Sequence, residues 1–237
     1  MAKVLIVLTS HGVLGNTGTP TGFYFEEMST PYYVFEDAGH EVDLASIAGG
    51  KPPHDPKSLD SDAEKQPGSV RRFLKDAGAM NKLEATLKID SVSAHDYDAV
   101  FLAGGHGAMW DFPNSQALAD VVSNIYQDGG TVAAVCHGPA GLLNAKTSQG
   151  EFLLDGVLAN GFSNADENNV GLTAVVPFLL QNVMIQRGAK YQNGPAFTPY
   201  SVSYFRIVTG QNPMSSEKTA HEVLANLISP QQKIHAT

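Results

Sequence analysis

Thr131-Val132-Ala133-Ala134-Val135-Cys136-His137-Gly138-Pro139-Ala140-Gly141 decides the fold. Its first residues form a short β-branched and small apolar run, as expected for a strand buried on both faces. Gly129-Gly130 leads into that run. Gly138 and Ala140 then permit a sharp turn, and an apolar stretch of helical character follows. Strand, tight turn and helix make a nucleophile elbow, which holds one side chain in strained geometry above the end of a sheet. Here that side chain is Cys136, the sole cysteine of the chain. The pattern predicts a helix N-terminus aimed at the sulfur, which favours the thiolate and lowers its pKa. A buried structural cysteine is the competing assignment, because an unpaired thiol packs as a small hydrophobe. The elbow and the adjacent His137 favour a reactive thiol.

The same pattern recurs along the chain. Lys3 to Leu8, Glu41 to Ala45 and Tyr97 to Ala103 read as further strands, and the last runs into Gly104-Gly105. Weaker strands are expected at Gly156 to Ala159, Ala189 to Gln192 and Arg206 to Thr209. Leu118, Val121, Val122 and Ile125 recur at helical spacing between Asn114 and Asp128. A last helix is expected from Ser215 or Ser216 to Ile228, with serine as its N-cap. Strands alternating with helices imply right-handed crossovers and a doubly wound, mainly parallel α/β sheet with helices on both faces. Function in such sheets gathers at the carboxyl ends of the strands. No internal repeat is seen, so we expect one domain over 1–237, with an insertion at about 49–94. That segment opens with Pro52, Pro53 and Pro56 and carries many charges. Helical pieces are expected there around Val70 to Lys75 and Asn81 to Leu87, packed over one end of the sheet.

Composition narrows the function. The 237 residues are 43% hydrophobic, and 15 Lys+Arg against 24 Asp+Glu give a net charge of −9. That balance argues against nonspecific nucleic-acid binding, which needs Lys and Arg to replace phosphate counterions. No run approaches the ~18 apolar residues of a membrane span. Met1 to Leu8 lacks the long apolar region of a secretory signal, so a cytoplasmic, soluble enzyme is expected. One cysteine excludes an intramolecular disulfide and a zinc site built on several thiolates. No His-x-His or His-x-x-x-His spacing occurs, and no metal is expected.

Gly104-Gly105-His106-Gly107 follows a strand end that should lie beside the elbow. Its backbone N–H groups are candidates to stabilise an oxyanion. His106 is read as a pocket-lining histidine. Glu27 lies among Phe23, Tyr24, Phe25 and Met28, where a buried carboxyl would have a raised pKa and stay protonated. Glu26 beside it leaves the choice open on local grounds. Trp110 and the other aromatic residues near the elbow are read mainly as core.

The elbow Ala133 to Pro139 resembles that of the ThiJ/PfpI superfamily, a flavodoxin-like relative of the class I glutamine amidotransferases. Within it the chain is most similar to the glyoxalase III-type heat-shock chaperones of yeast and bacteria. The resemblance runs through Thr21-Gly22 to Glu27 and Pro31, Gly39 to Asp43, Ala103 to Gly107, Gly161 to Glu167, and Val208 to Pro213. It implies Cys136 as nucleophile, His137 as its partner and Glu167 as the acid that orients the histidine, with Asp166 as a rival. It implies Glu27 as the buried acid at the sulfur, and Gly105 with the His137 backbone as oxyanion donors. The implied reaction is glutathione-independent: a 2-oxoaldehyde such as methylglyoxal becomes lactate through a Cys136 hemithioacetal, with no cofactor. A homodimer is implied as well. The metal site of the bacterial chaperones has no matching residues here. Other readings are a holdase chaperone, a redox-sensing thiol protein and a cysteine peptidase. An amidotransferase fits least, because Ala134 and Val135 break its Gly-x-Cys-x-Gly elbow and Thr219-Ala220-His221-Glu222 lacks its His-x-Glu pair.

Overall fold

The computed structural model describes residues 1–228. The expected domain end at Thr237 lies outside the described residues. Strands β1 (Lys3–Leu8), β2 (Glu41–Ser46), β3 (Leu87–Lys88), β4 (Ala99–Leu102), β5 (Thr131–Val135), β6 (Leu158–Ala159), β7 (Lys190–Tyr191), β8 (Ser201–Tyr204) and β9 (Ile207–Gly210) alternate with helices. The helices are α1 (Phe25–Asp37), α2 (Gly68–Lys75), α3 (Ala77–Glu84), α4 (Ala108–Asp111), α5 (Gln116–Gln127), α6 (Asn164–Asn169), α7 (Leu180–Gln186) and α8 (Ser216–Ile228). A seven-stranded sheet runs in the order β3-β2-β1-β4-β5-β9-β8. Every pairing in it is parallel except β8 with β9. This is the flavodoxin-like α/β fold.

The apolar runs explain the layers. Val4 to Leu8, Ala99 to Leu102 and Val132 to Val135 are all buried, because helices cover both faces of the sheet. Leu118, Val122 and Ile125 bury the inner face of α5, as their spacing predicts. Strand order reverses between β1 and β4, so a crevice opens beyond their carboxyl ends. In register, Val7 pairs with Leu102, Leu102 with Ala134, and Val135 with Gly210. The loop after β4 and the elbow after β5 therefore leave the sheet side by side.

Three details depart from the sequence reading. The weak strands β6 and β7 pair with each other in a separate two-stranded sheet. They belong to the long excursion between β5 and β9. Edge strand β8 was not legible; it exists because the chain doubles back through Phe205 and Arg206 to pair with β9. The stretch after the elbow is a single 3-10 helix, Gly138–Leu142, with Pro139 in its first turn. Residues 49–94 supply α2, α3 and the strand β3, which pairs with Ala45 and Ser46 at the sheet edge.

Candidate active site

Cys136 has φ +59, in the left-handed region that a side chain rarely occupies. Its backbone is clamped there on both sides. Cys136 N–H donates to the Gly210 carbonyl at 2.9 Å, and Phe162 N–H donates to the Cys136 carbonyl at 2.7 Å. The side chain is only 4% exposed. Burial pushes the thiol pKa well up, and the neighbouring Glu27 carboxyl adds to the rise. The backbone N–H groups of Gly105 and His137 oppose that rise. This corrects the expectation of a lowered pKa. No long helix aims its dipole at the sulfur, and desolvation outweighs the two amides.

Glu27 sits in the first turn of α1, on the buried stripe with Met28, Pro31, Tyr32 and Phe35. It is fully buried, whereas Glu26 is partly exposed. Gly104 N–H donates to Glu27 Oε2 at 2.7 Å. Burial drives the Glu27 pKa well above the ordinary carboxylate range, against the opposing influence of Cys136 and of the Gly104 N–H. Burial thus favours the protonated form of the Glu27 carboxyl.

Glycine is required at the strand end. A Cβ on Gly104 would lie 2.6 Å from both Glu27 Oε2 and the His137 nitrogen. Gly105 has φ +97, and a Cβ there would lie 2.3 Å from the Gly22 carbonyl oxygen. These glycines let the β4 loop fit between α1 and the elbow.

His137 Nδ1 lies 3.4 Å from Cys136 Sγ. Its Nε2 lies 2.9 Å from Glu167 Oε2, while His106 Nε2 lies 3.0 Å from Glu167 Oε1. Burial opposes ionisation of Glu167, but bonds from His106 and His137 bring its pKa down to about 2. The ionised carboxylate is acceptor-only, so both rings donate to it through Nε2–H. That tautomer leaves the His137 Nδ1 lone pair facing the thiol. Burial, then the neighbouring His106, lowers the His137 pKa to about 4, so the ring is neutral at rest. The two imidazoles lie 4.2 Å apart between centroids, and the Phe162 ring packs on His137 at 4.4 Å.

Asp166 does other work. It accepts from Ser163 N–H and Oγ–H, from Gln211 Nε2–H at 2.8 Å and from Phe197 N–H at 2.9 Å. It caps the start of α6, and the next residue reaches the histidines. The sequence carried that signal: Ser163-Asn164-Ala165-Asp166 spells a capping box. The bond from His106 to Glu167 and the packing of Phe162 had no signal, because the fold alone brings those segments together. Sequence spacing is equally blind to the next juxtaposition. His106, His137 and Glu167 offer ligand atoms within 4.8 Å of one another. A cavity of about 340 Å³ beside Trp110 and Arg187 is lined by none of these residues.

The DJ-1/PfpI family model matches residues 19–153. The chain belongs to the DJ-1/PfpI family. The match includes the Glu27 helix, the Gly104–Gly107 loop and the elbow. Glutathione-independent glyoxalase HSP31 of Saccharomyces cerevisiae is 37% identical, over 92% of this chain and 94% of that protein. Glyoxalase 3 of Candida albicans is 34% identical, over 95% and 98%. Among solved structures, glyoxalase III of Candida albicans superposes with a TM-score of 0.86 at 32% identity, covering 94% of this chain and 96% of that one. Rapid Encystment Protein 24 KDa of Francisella tularensis gives 0.92 at 38% identity, covering 97% and 100%.

Proposed function

We propose that this protein is a glutathione-independent glyoxalase that converts methylglyoxal, or a similar 2-oxoaldehyde, to lactate at Cys136. One observation carries the reading: a single buried sulfur has two independent proton carriers, the buried carboxyl of Glu27, whose protonated form burial favours, and the neutral imidazole of His137 at 3.4 Å. An isomerisation of adjacent carbonyl carbons needs two such carriers. The similarity to named glyoxalases over almost the whole chain supports the same conclusion.

His137 Nδ1 takes the thiol proton, and sulfur adds to the aldehyde carbon C1. Glu27 protonates the oxygen formed there, giving a hemithioacetal. The Glu27 carboxylate then takes the C1 hydrogen while the imidazolium protonates the C2 oxygen, giving an enediol. Glu27 returns a proton to C2, and His137 removes the C1 hydroxyl proton. The product is a thioester, which water cleaves to lactate and the free thiol. The amides of Gly105 and His137 hold charge on C1 oxygen or sulfur throughout. Glu167 fixes the tautomer of His137 and steadies its cation.

The reading includes a homodimer in the cytoplasm, since symmetric dimers are the commonest soluble assembly. Sedimentation velocity tests the assembly. The activity test is lactate formation from methylglyoxal without glutathione, beside the Cys136→Ala variant. Lactate from the wild type alone is expected. No lactate from either, or equal lactate from both, would overturn the assignment.

A further inference from the structure

Glu167 receives two histidines, although one suffices to orient His137. His106, His137 and Glu167, from the β4 loop, the elbow and α6, each offer a ligand atom within 4.8 Å of the others, and both rings turn Nε2 to the carboxylate. A divalent ion at ordinary ligand distances, about 2.0–2.2 Å, holds cis ligand atoms roughly 3 Å apart. His137 Nε2 lies 2.9 Å from Glu167 Oε2 and His106 Nε2 3.0 Å from Oε1, so each histidine already stands at that spacing from one carboxylate oxygen. Two imidazoles and one carboxylate make a ligand set that takes zinc and leaves a coordination position for water. Access is available from the His106 side, whose side chain is 15% exposed against 1% for His137.

We propose that His106, His137 and Glu167 form an inhibitory site for a divalent ion of the zinc class. Binding works through the tautomer. An ion on Nε2 of a neutral imidazole displaces the Nε2 proton, which is carried instead on Nδ1. For His137, Nδ1 is the atom 3.4 Å from the sulfur. Once protonated it no longer accepts the thiol proton, so the thiol loses its base while the sulfur stays unligated. The ion thus binds on the far side of the ring from Cys136. The site itself rests on geometry alone; its inhibitory effect on lactate formation rests on the glyoxalase reading.

The test separates the two. Purified protein is titrated with Co2+, followed by visible absorption, and with Zn2+, followed by calorimetry. One ion per chain is expected, with d–d bands and no thiolate-to-cobalt charge-transfer band. Cys136→Ala should bind within about threefold of wild type, and His106→Ala and His106→Asn at least tenfold more weakly. Circular dichroism checks that each variant is folded. Bound Zn2+ should slow alkylation of Cys136 by iodoacetamide at least tenfold, reversibly on adding EDTA, whatever the enzyme's substrate. No binding at millimolar ion, a sulfur charge-transfer band, or unchanged affinity in both His106 variants would overturn the site. Binding without slower alkylation would overturn the inhibitory role.

Discussion

Cys136 pays a conformational cost for its position. The left-handed backbone costs a non-glycine residue about 1–2 kcal/mol, and φ +59 puts Cys136 there. Cys136→Ala keeps the strain and loses the sulfur; Cys136→Gly loses both. Neither variant should form lactate. The glycine variant should nevertheless be the more stable, by about 1 kcal/mol. Urea denaturation of the pair decides it, and an alanine variant as stable as the glycine one would mean the elbow stores no strain. The thiol and its turn were readable in sequence because strand, turn and nucleophile are contiguous. The choice of acids was less so. Glu26 and Glu27 differ by one position, and only the packed face of α1 separates them. Asp166 and Glu167 were separable through the Ser163 cap. The partnership of His106 with Glu167 was not, because 61 positions divide them and the fold alone brings them together.

Helix α1 and the β4 loop carry the next two predictions. α1 delivers Glu27 into a site where burial raises its pKa. Such a group binds its proton more tightly in the folded chain than in the unfolded one. Its favourable contribution is complete below the unfolded pKa, about 4.3, and is lost as pH rises toward the folded pKa. Glu27→Gln removes that dependence while keeping the shape. The variant should therefore gain stability relative to wild type as pH rises from 4 to 8, and should lose at least about 100-fold in lactate formation. Thermal melts across that range test the sign; a stability gap that is flat or narrows with pH would mean Glu27 is ionised. In the β4 loop, Gly105→Ala puts a Cβ 2.3 Å from the Gly22 carbonyl oxygen. Gly18 also has positive φ, +72, but nothing lies within 4 Å of its Cβ position. Gly18→Ala should cost about 1 kcal/mol from backbone strain alone. Gly105→Ala should cost well over 2 kcal/mol by adding a backbone clash. Equal denaturation midpoints would show that the loop can shift freely. The elements themselves were legible where period and length agree, as in β1, β5 and α5. They were not where pairing comes from elsewhere: β8 exists through β9, and the stretch after the elbow closes as the 3-10 turn Gly138–Leu142, whose first residue must be glycine. A Cβ on Gly138 would lie 2.1 Å from the Leu102 carbonyl oxygen.

At the scale of the molecule, net charge separates substrate classes that the site alone does not. The chain carries −9. A protein field of that size attracts cations and repels anions over roughly a Debye length, about 10 Å at 0.1 M salt. An uncharged dicarbonyl feels no such steering. Burial also favours the neutral form of each reacting group, raising the pKa of Glu27 and of the Cys136 thiol and lowering that of His137. Glu167 is ionised, and its two histidines lie against it. The value of kcat/KM for methylglyoxal should therefore change by less than about twofold between 20 and 500 mM sodium chloride. An anionic oxoacid would instead react faster as salt screens the repulsion, and a cationic substrate slower. Initial rates across that series, with all three substrate types at one pH, make the comparison direct. A several-fold salt dependence with methylglyoxal would mean that a charged species governs the encounter, and the neutral 2-oxoaldehyde would lose its place as the substrate.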